Sequence, residues 1–429
     1  MFKVKSILIK GFWQSKEAGS TFRDDVNIII GRNGSGKTTF MNILHAVLAV
    51  DIEALYENVF QSVTITLIDG KRTRTVRADR IERNSTSLPL IEYHISNRRY
   101  IASLIGIDDG RSMPPSMRRR AIEESQPIKY ELSKLVAVAS LSVYRSGNDA
   151  DPELRERSPK RIASTVDLRL SSLMQRLTQY QLELSDSARN ISAELQRNVL
   201  ISLLYTGEKV KNQGYQLDFD ANVERMNLVS AYKQLSVSGS EVSRKIQDHI
   251  AAVSSTVKNL KALALSSQTS AKGQPDLQVD LAALEAFKLT RTVVEKSLAA
   301  EQKTKTIFNQ VDLFLQTLKN FVPDKTFGFL SGELTVANEG PIPLAKLSSG
   351  EKQLLILFIE ALLQRQQPYI FLADEPELSL HISWQRNIIA AIRSLNPNSQ
   401  IIVATHSPEI AGKFGDNILD MGSILHGKH

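Results

Sequence analysis

Cysteine is absent from the 429 residues of this chain, so neither a disulfide framework nor a thiolate metal site can be built, and zinc chemistry is disfavoured. A reducing compartment agrees with that absence. No stretch reaches the roughly 18 uninterrupted apolar residues that suggest a membrane span. The first residues, Met1-Phe2-Lys3-Val4-Lys5-Ser6, enter a strand pattern without the apolar core or small-residue cleavage site of a secretory leader. No membrane and a cytoplasmic location are therefore the expectation. The seven histidines are scattered and give no cluster of the HNH nuclease type. Charge of one sign is only in modest excess: a formal +7 permits a polyanion such as DNA, and a solvated surface accounts for it as well. Hydrophobic residues make up 42%, enough for a full core, and the length allows two or three domains.

What is present is a phosphate loop. Gly31-Arg32-Asn33-Gly34-Ser35-Gly36-Lys37-Thr38 fits GxxxxGK[ST] at every fixed position. It follows the apolar run Val26-Asn27-Ile28-Ile29-Ile30, a buried-strand pattern, and precedes a helical one at residues 39–48. Glycines let such a loop curl so that backbone N–H groups face a β-phosphate, and the following helix adds its positive end. Lys37 is expected to bridge the β- and γ-phosphates of a nucleotide, Thr38 to ligate Mg²⁺ and Thr39 to meet the α-phosphate. A glycine-rich turn with an incidental lysine is the bland alternative.

The chain around this loop is divided. Residues 3–9 alternate, and residues 63–68 and 72–77 form a hairpin pattern across Asp69-Gly70-Lys71. A further strand is expected at residues 90–95, so the N-terminal lobe is mixed rather than a plain βαβ repeat. Residues 106–129 carry Asp108-Asp109-Gly110, Pro114-Pro115 and Arg118-Arg119-Arg120 and read as a surface loop or a short, partly ordered insert, before a strand at residues 135–144. Helical spacing dominates residues 166–322, with apolar stripes at residues 166–199 and 281–321 and a helix at residues 241–263. These helices are too short for a long coiled-coil arm. Strands at residues 329–336, 369–373 and 400–405 alternate with helices at residues 350–365 and 382–394. The expected division is an N-terminal lobe at residues 1–160, a helical insertion at 161–323 and a C-terminal lobe at 324–429.

The C-terminal lobe supplies acids. Tyr369-Ile370-Phe371-Leu372-Ala373 ends in Asp374 and Glu375, and a buried parallel strand delivers both carboxylates to the phosphate end of a sheet. Asp374 is expected in the Mg²⁺ shell and Glu375 as the general base that polarises water. Acids after a buried strand are common, so it is the upstream loop that gives them this meaning. Leu347-Ser348-Ser349-Gly350-Glu351-Lys352-Gln353 opens a helix whose N-terminus and Ser348 hydroxyl suit a γ-phosphate, with a simple helix cap as the alternative.

At this run the sequence resembles the ABC-type ATPases, whose signature reads LSGGQ, and in particular the soluble branch of RecF, SMC and OLD-like proteins. Leu347, Ser348 and Gly350 match, while Ser349 and Glu351 follow the soluble form. The resemblance extends to Pro376-Glu377-Leu378-Ser379-Leu380-His381, similar to the family's D-loop, and to the strand before His406, where the family keeps a switch histidine. It implies an α/β ABC head of the P-loop NTPase fold, split by the helical insertion. It also implies ATP and Mg²⁺ as ligands, with Gly31 to Thr39 and Ser348 to Glu351 as binding residues, Thr38 and Asp374 on the metal, and Glu375 and His406 as catalytic groups. In such heads a phosphate loop faces the signature of a second copy, so a homodimer around two ATP molecules is expected, with a higher homo-oligomer open. The family's Q-loop glutamine has no counterpart: Arg145 stands at its expected place.

The short insertion and the Glu-Pro-Glu-Leu-Ser-Leu-His run resemble the compact ATPases of the Septu and PARIS anti-phage systems, which act with a separate nuclease or toxin. With 23 residues after His406, an appended TOPRIM domain is not expected. A sensor that controls a separate effector is the leading expectation. A RecF-like DNA repair or chromosome-maintenance ATPase is the alternative, and a transporter ATPase the third.

Overall fold

The computed structural model describes residues 1–81, 88–106, 115–141, 165–202, 219–235, 237–266 and 280–427. The chain divides into two compact units, Met1–Gln179 with Val311–His429, and Tyr180–Gln310. The expected loop glutamine position, Arg145, lies outside the described residues.

The first unit is built on β1 (Lys3–Phe12), β2 (Lys16–Thr21), β3 (Val26–Ile30), β4 (Ser62–Asp69), β5 (Arg72–Ile81), β6 (Leu90–Ile95), β7 (Arg98–Ser103), β8 (Val138–Leu141), β9 (Thr326–Leu330), β10 (Glu333–Asn338), β11 (Gly340–Ile342), β12 (Ile370–Asp374), β13 (Gln400–Ala404), β14 (Ile418–Asp420) and β15 (Leu425–Gly427). One antiparallel sheet runs β15-β2-β1-β4-β5-β6-β7, and a parallel sheet runs β14-β3-β13-β12-β8. The difference is written in burial. In β4, Val63, Ile65 and Leu67 are buried while the residues between them are not, the pattern of a sheet with one solvated face. In β12 and β13 every residue is buried, as a strand covered on both faces requires.

Register in the parallel sheet places the chemistry. Asp374 pairs with Ala404, and Ala404 pairs with Ile29, so the loop after β3, the acids at the end of β12 and the residues after β13 leave at one level. The helix α1 (Lys37–Ala49) buries Phe40, Leu44 and Val47 in a core shared with Ile7, Ile9, Ile65, Ile91, Ile370 and Ile402. Tyr93 closes that core, its hydroxyl donating to the Val47 carbonyl at 3.0 Å. Gln400 ties the two sheets together: its amide accepts from the Val4 N–H at 2.8 Å and donates to the Val4 carbonyl at 2.7 Å.

Several local expectations change. Residues 115–135 are not a loop but the helix α3 (Pro115–Leu135), which follows the short helix α2 (Ile52–Glu57) in chain order. Proline is tolerated in the first turn of a helix, where its missing N–H has no acceptor, and Ala121, Ser125, Ile128 and Leu132 form the buried stripe. The strand expected at residues 135–144 begins only at Val138. The single strand expected at residues 329–336 is the hairpin β9–β10, turned at Ser331 and Gly332 with φ of 52° and 86°, the pair of positive angles that a tight hairpin uses.

The second unit is helical. It holds the later part of α4 (Thr165–Ser202), then α5 (Ala221–Gln234), α6 (Ser240–Ser266) and the earlier part of α7 (Leu281–Phe321). Leu228, Ala231, Ile246, Ile250 and Val294 pack together across α5, α6 and α7, so much of the apolar pattern is satisfied inside the unit. Among the described residues no helix is long and apolar enough to cross a membrane.

The C-terminal lobe adds α8 (Ser349–Leu363), α9 (Ile382–Gln385), α10 (Ile388–Leu395), α11 (Pro408–Ala411) and α12 (Met421–Ile424). The one helix expected at residues 382–394 is thus two, α9 and α10.

Candidate functional site

The loop after β3 enters α1 through Gly36, whose φ of 97° lies in the left-handed region. A Cβ on Gly36 would lie 2.9 Å from the Trp13 ring and 3.1 Å from Phe12, so both conformation and space demand glycine. Trp13, itself at φ 50°, thereby packs against the phosphate loop, a contact that no local sequence signal announces.

Lys37 is buried at the start of α1, and its ammonium donates to the carbonyls of Gly31 at 2.9 Å and Arg32 at 3.2 Å. It spans the loop from inside, where a phosphate oxygen could replace either carbonyl. Burial lowers its pKa, and the nearby Glu375, Asp374 and Glu377 carboxylates partly offset that.

Asp374, at the end of β12, is 4% exposed. Burial pushes its carboxyl above the usual range against the Thr38 hydrogen bond, and the negative Glu375 adds to the rise. Its Oδ1 is buried without a hydrogen-bond partner, as is the Ser35 hydroxyl. A buried acceptor without a partner is costly. Here two such oxygens accompany a buried lysine and a loop that admits no Cβ at Gly36, a set that fits a phosphate chain with a divalent cation.

Asp374→Asn should therefore raise the melting temperature of the nucleotide-free protein. Because the folded-state pKa is raised, the penalty is absent below the ordinary value of 3.8 and fully present above the raised one. Thermal melts should show the gain at pH 8 and its disappearance toward pH 3. An unchanged melting temperature at pH 8 would mean that the carboxylate is already compensated.

Glu375 turns away from the strand with φ of 48°, a left-handed angle that costs a non-glycine residue on the order of 1 kcal/mol. That turn separates it from Asp374 and brings its Oε1 to 3.7 Å from His406 Nε2. Both side chains are about one-third exposed, at 30% and 36%. His406 follows β13, so the structure brings Lys37, Asp374, Glu375 and His406 to the same edge of the parallel sheet.

Ser348 is the N-cap of α8. Its hydroxyl accepts the Glu351 N–H at 3.3 Å, and the Glu351 carboxylate accepts the Ser348 N–H at 2.9 Å, a capping box. The hydroxyl proton stays free to donate to an anion. Burial alone would raise the Glu351 pKa, but the ion pair with Lys325 and the Ser348 N–H hold it below the usual carboxylate range. Glu351 is therefore engaged in holding the helix start, and Lys325, which the sequence does not single out, is its partner. Gly350 packs against the Ser379 carbonyl where no Cβ would fit.

The AAA ATPase domain family matches residues 2–411. An uncharacterized ABC transporter ATP-binding protein of Haemophilus influenzae is 36% identical over 88 residues, 20% of this chain and 32% of that protein. The "Retron Ec83 probable ATPase" of Escherichia coli is 38% identical over 84 residues, 17% of this chain and 16% of that protein. The matched part is thus less than a third of either relative's length. Among solved structures, the Smc head domain of Pyrococcus furiosus bound to the C-terminal domain of ScpA is 14% identical. That alignment covers 98% of this chain and 93% of that one, with a TM-score of 0.42. The match spans the loop after β3 and the acids at the end of β12, and the chain belongs to the AAA ATPase domain family.

Proposed function

We propose that this chain is an ATP-driven sensor and scaffold in which two copies close on two ATP molecules, and that the closed state controls a separate effector, a nuclease, in anti-phage defence. The observation that carries it is the convergence of Lys37, Asp374, Glu375 and His406 on one sheet edge, with Ser348 holding a helix start elsewhere in the same unit. Lys37 and the loop N–H groups would hold the β- and γ-phosphates, and Thr38 and Asp374 would hold Mg²⁺, which neutralises charge on the phosphates when bound. Glu375 takes a proton from the attacking water, and His406 donates toward the γ-phosphate. Ser348 of each copy is assigned to the phosphate held by the other.

The likeness to a retron ATPase supports defence over repair. Several of the arginines that a polyanion such as DNA would need are paired within the fold. Arg118 pairs with Glu53 at 2.9 Å, Arg120 with Glu124 at 3.0 Å and Arg77 with Asp79 at 2.9 Å. A protein effector is the better occupant for the output.

The test is cellular. Expressed with its flanking genes, the chain should lower phage plaque counts by orders of magnitude, and Lys37→Ala should restore them. Plaque counts that ignore both the locus and Lys37 would remove defence from the account.

A further inference from the structure

Pro376-Glu377-Leu378-Ser379-Leu380, the segment after the acids, is joined to the histidine segment by one carboxylate. Glu377 Oε1 accepts three hydrogen bonds: from the Thr405 hydroxyl at 2.7 Å, the His406 N–H at 2.7 Å and the Ser407 N–H at 3.1 Å. The network closes on itself. Ser407 donates its hydroxyl to Gln385 Oε1 at 2.7 Å, and Gln385 Nε2 donates to the Leu380 carbonyl at 3.0 Å. Residues 405–407 are thus held at both ends by the segment that follows Glu375.

This clamp fixes the backbone from which the His406 imidazole reaches Glu375. Non-glycine residues in the left-handed region persist only where their surroundings over-determine them. Glu375 and Ser379, at φ 48° and 67°, flank Glu377 on either side. The segment also touches α8, where Gln353 Nε2 donates to the Pro376 carbonyl at 3.4 Å. One further feature sets Glu377 apart from an ordinary loop cap. Its Oε2 is buried without a partner, so the carboxylate is held there at a cost.

We infer that Glu377 is a positioning residue for ATP hydrolysis, acting through the backbone of His406 to hold the imidazole against Glu375. The inference rests on the hydrolytic reading above and adds a residue to it. Glu377 does not touch the reacting atoms in this account; it sets where His406 stands.

Four chains test it: Glu377→Ala, Glu377→Gln, His406→Ala and the double variant Glu377→Ala with His406→Ala. Glu377→Ala should lower kcat about 10- to 100-fold while KM stays within about threefold, since only a group needed after binding has moved. Glu377→Gln, whose amide oxygen can still accept at Oε1, should recover most of kcat. In the His406→Ala background, Glu377→Ala should cost almost nothing more. Amide hydrogen exchange of the nucleotide-free chain adds a readout independent of turnover: the His406 and Ser407 N–H groups should exchange at least about tenfold faster in Glu377→Ala. Should that variant not fold, Glu377→Asp, which withdraws the carboxylate by one methylene, takes its place. Wild-type kcat in the Glu377 variant, or an undiminished loss in the His406→Ala background, overturns the inference. Glu375→Gln, measured alongside, separates the two levels. Wild-type turnover by Glu375→Gln would fell the hydrolytic reading, whereas its loss with Glu377 unaffected would fell only this inference.

Discussion

Glu375→Gln should keep ATP bound and slow its hydrolysis by about 10²–10⁴-fold, the range that a positioned general base contributes. The substitution keeps size and hydrogen-bonding reach and removes only basicity. Among the described residues, Glu375 is the acid at this end of the sheet that is left open for the proposed role. Asp374 is buried and bonded to Thr38, and Glu377 Oε1 is filled by three donors. Glu375 remains partly open, with its Oε1 3.7 Å from His406. Nucleotide binding and single-turnover hydrolysis, measured on the same preparation, separate the two effects. Retained turnover would place the base elsewhere.

Lys37→Ala should remove nucleotide binding, with affinity falling at least about 100-fold, or about 2.8 kcal/mol. The ammonium is already desolvated, so its hydrogen bonds to phosphate would be charge-assisted and poorly screened. Its present acceptors, the Gly31 and Arg32 carbonyls, lie within the loop itself, and the fold does not depend on a distant partner of Lys37. The variant should melt close to the wild type without ATP and gain little stability when ATP is added. A normal ATP-induced rise in melting temperature would show that the phosphates are held by other groups.

The strands that carry the candidate site are legible in the sequence because they announce themselves by burial, and the motifs sit at their ends. Residues 369–373 are an unbroken apolar run and residues 26–30 are apolar save for Asn27, and each strand hands the polar residues that follow it to the same end of the sheet. α3 was hidden by its punctuation: Pro115 and three arginines suggest a loop, while the stripe Ala121, Ser125, Ile128 and Leu132 is thin and partly polar. The β9–β10 turn was masked because Ser331 gives no warning of a left-handed angle. Glu377 could be read only as part of a resemblance, since its donors lie 28 to 30 positions away and no periodicity links them. The partner of Glu351, Lys325, is hidden for the same reason at a separation of 26 residues.

The shared site is the central claim, and mixing two broken chains tests it most directly. Lys37→Ala removes the phosphate loop's lysine, and Ser348→Arg blocks the helix start assigned to the other copy's phosphate. Each alone should be inactive. Once they exchange subunits, the mixture should regain about a quarter of wild-type turnover, because half of the dimers are mixed and one of the two sites in each is sound. ATPase rates are read on a mixture whose mixed dimers are verified by pull-down through two different tags. Recovery near that level is the expected result; no recovery in verified mixed dimers would contradict the account.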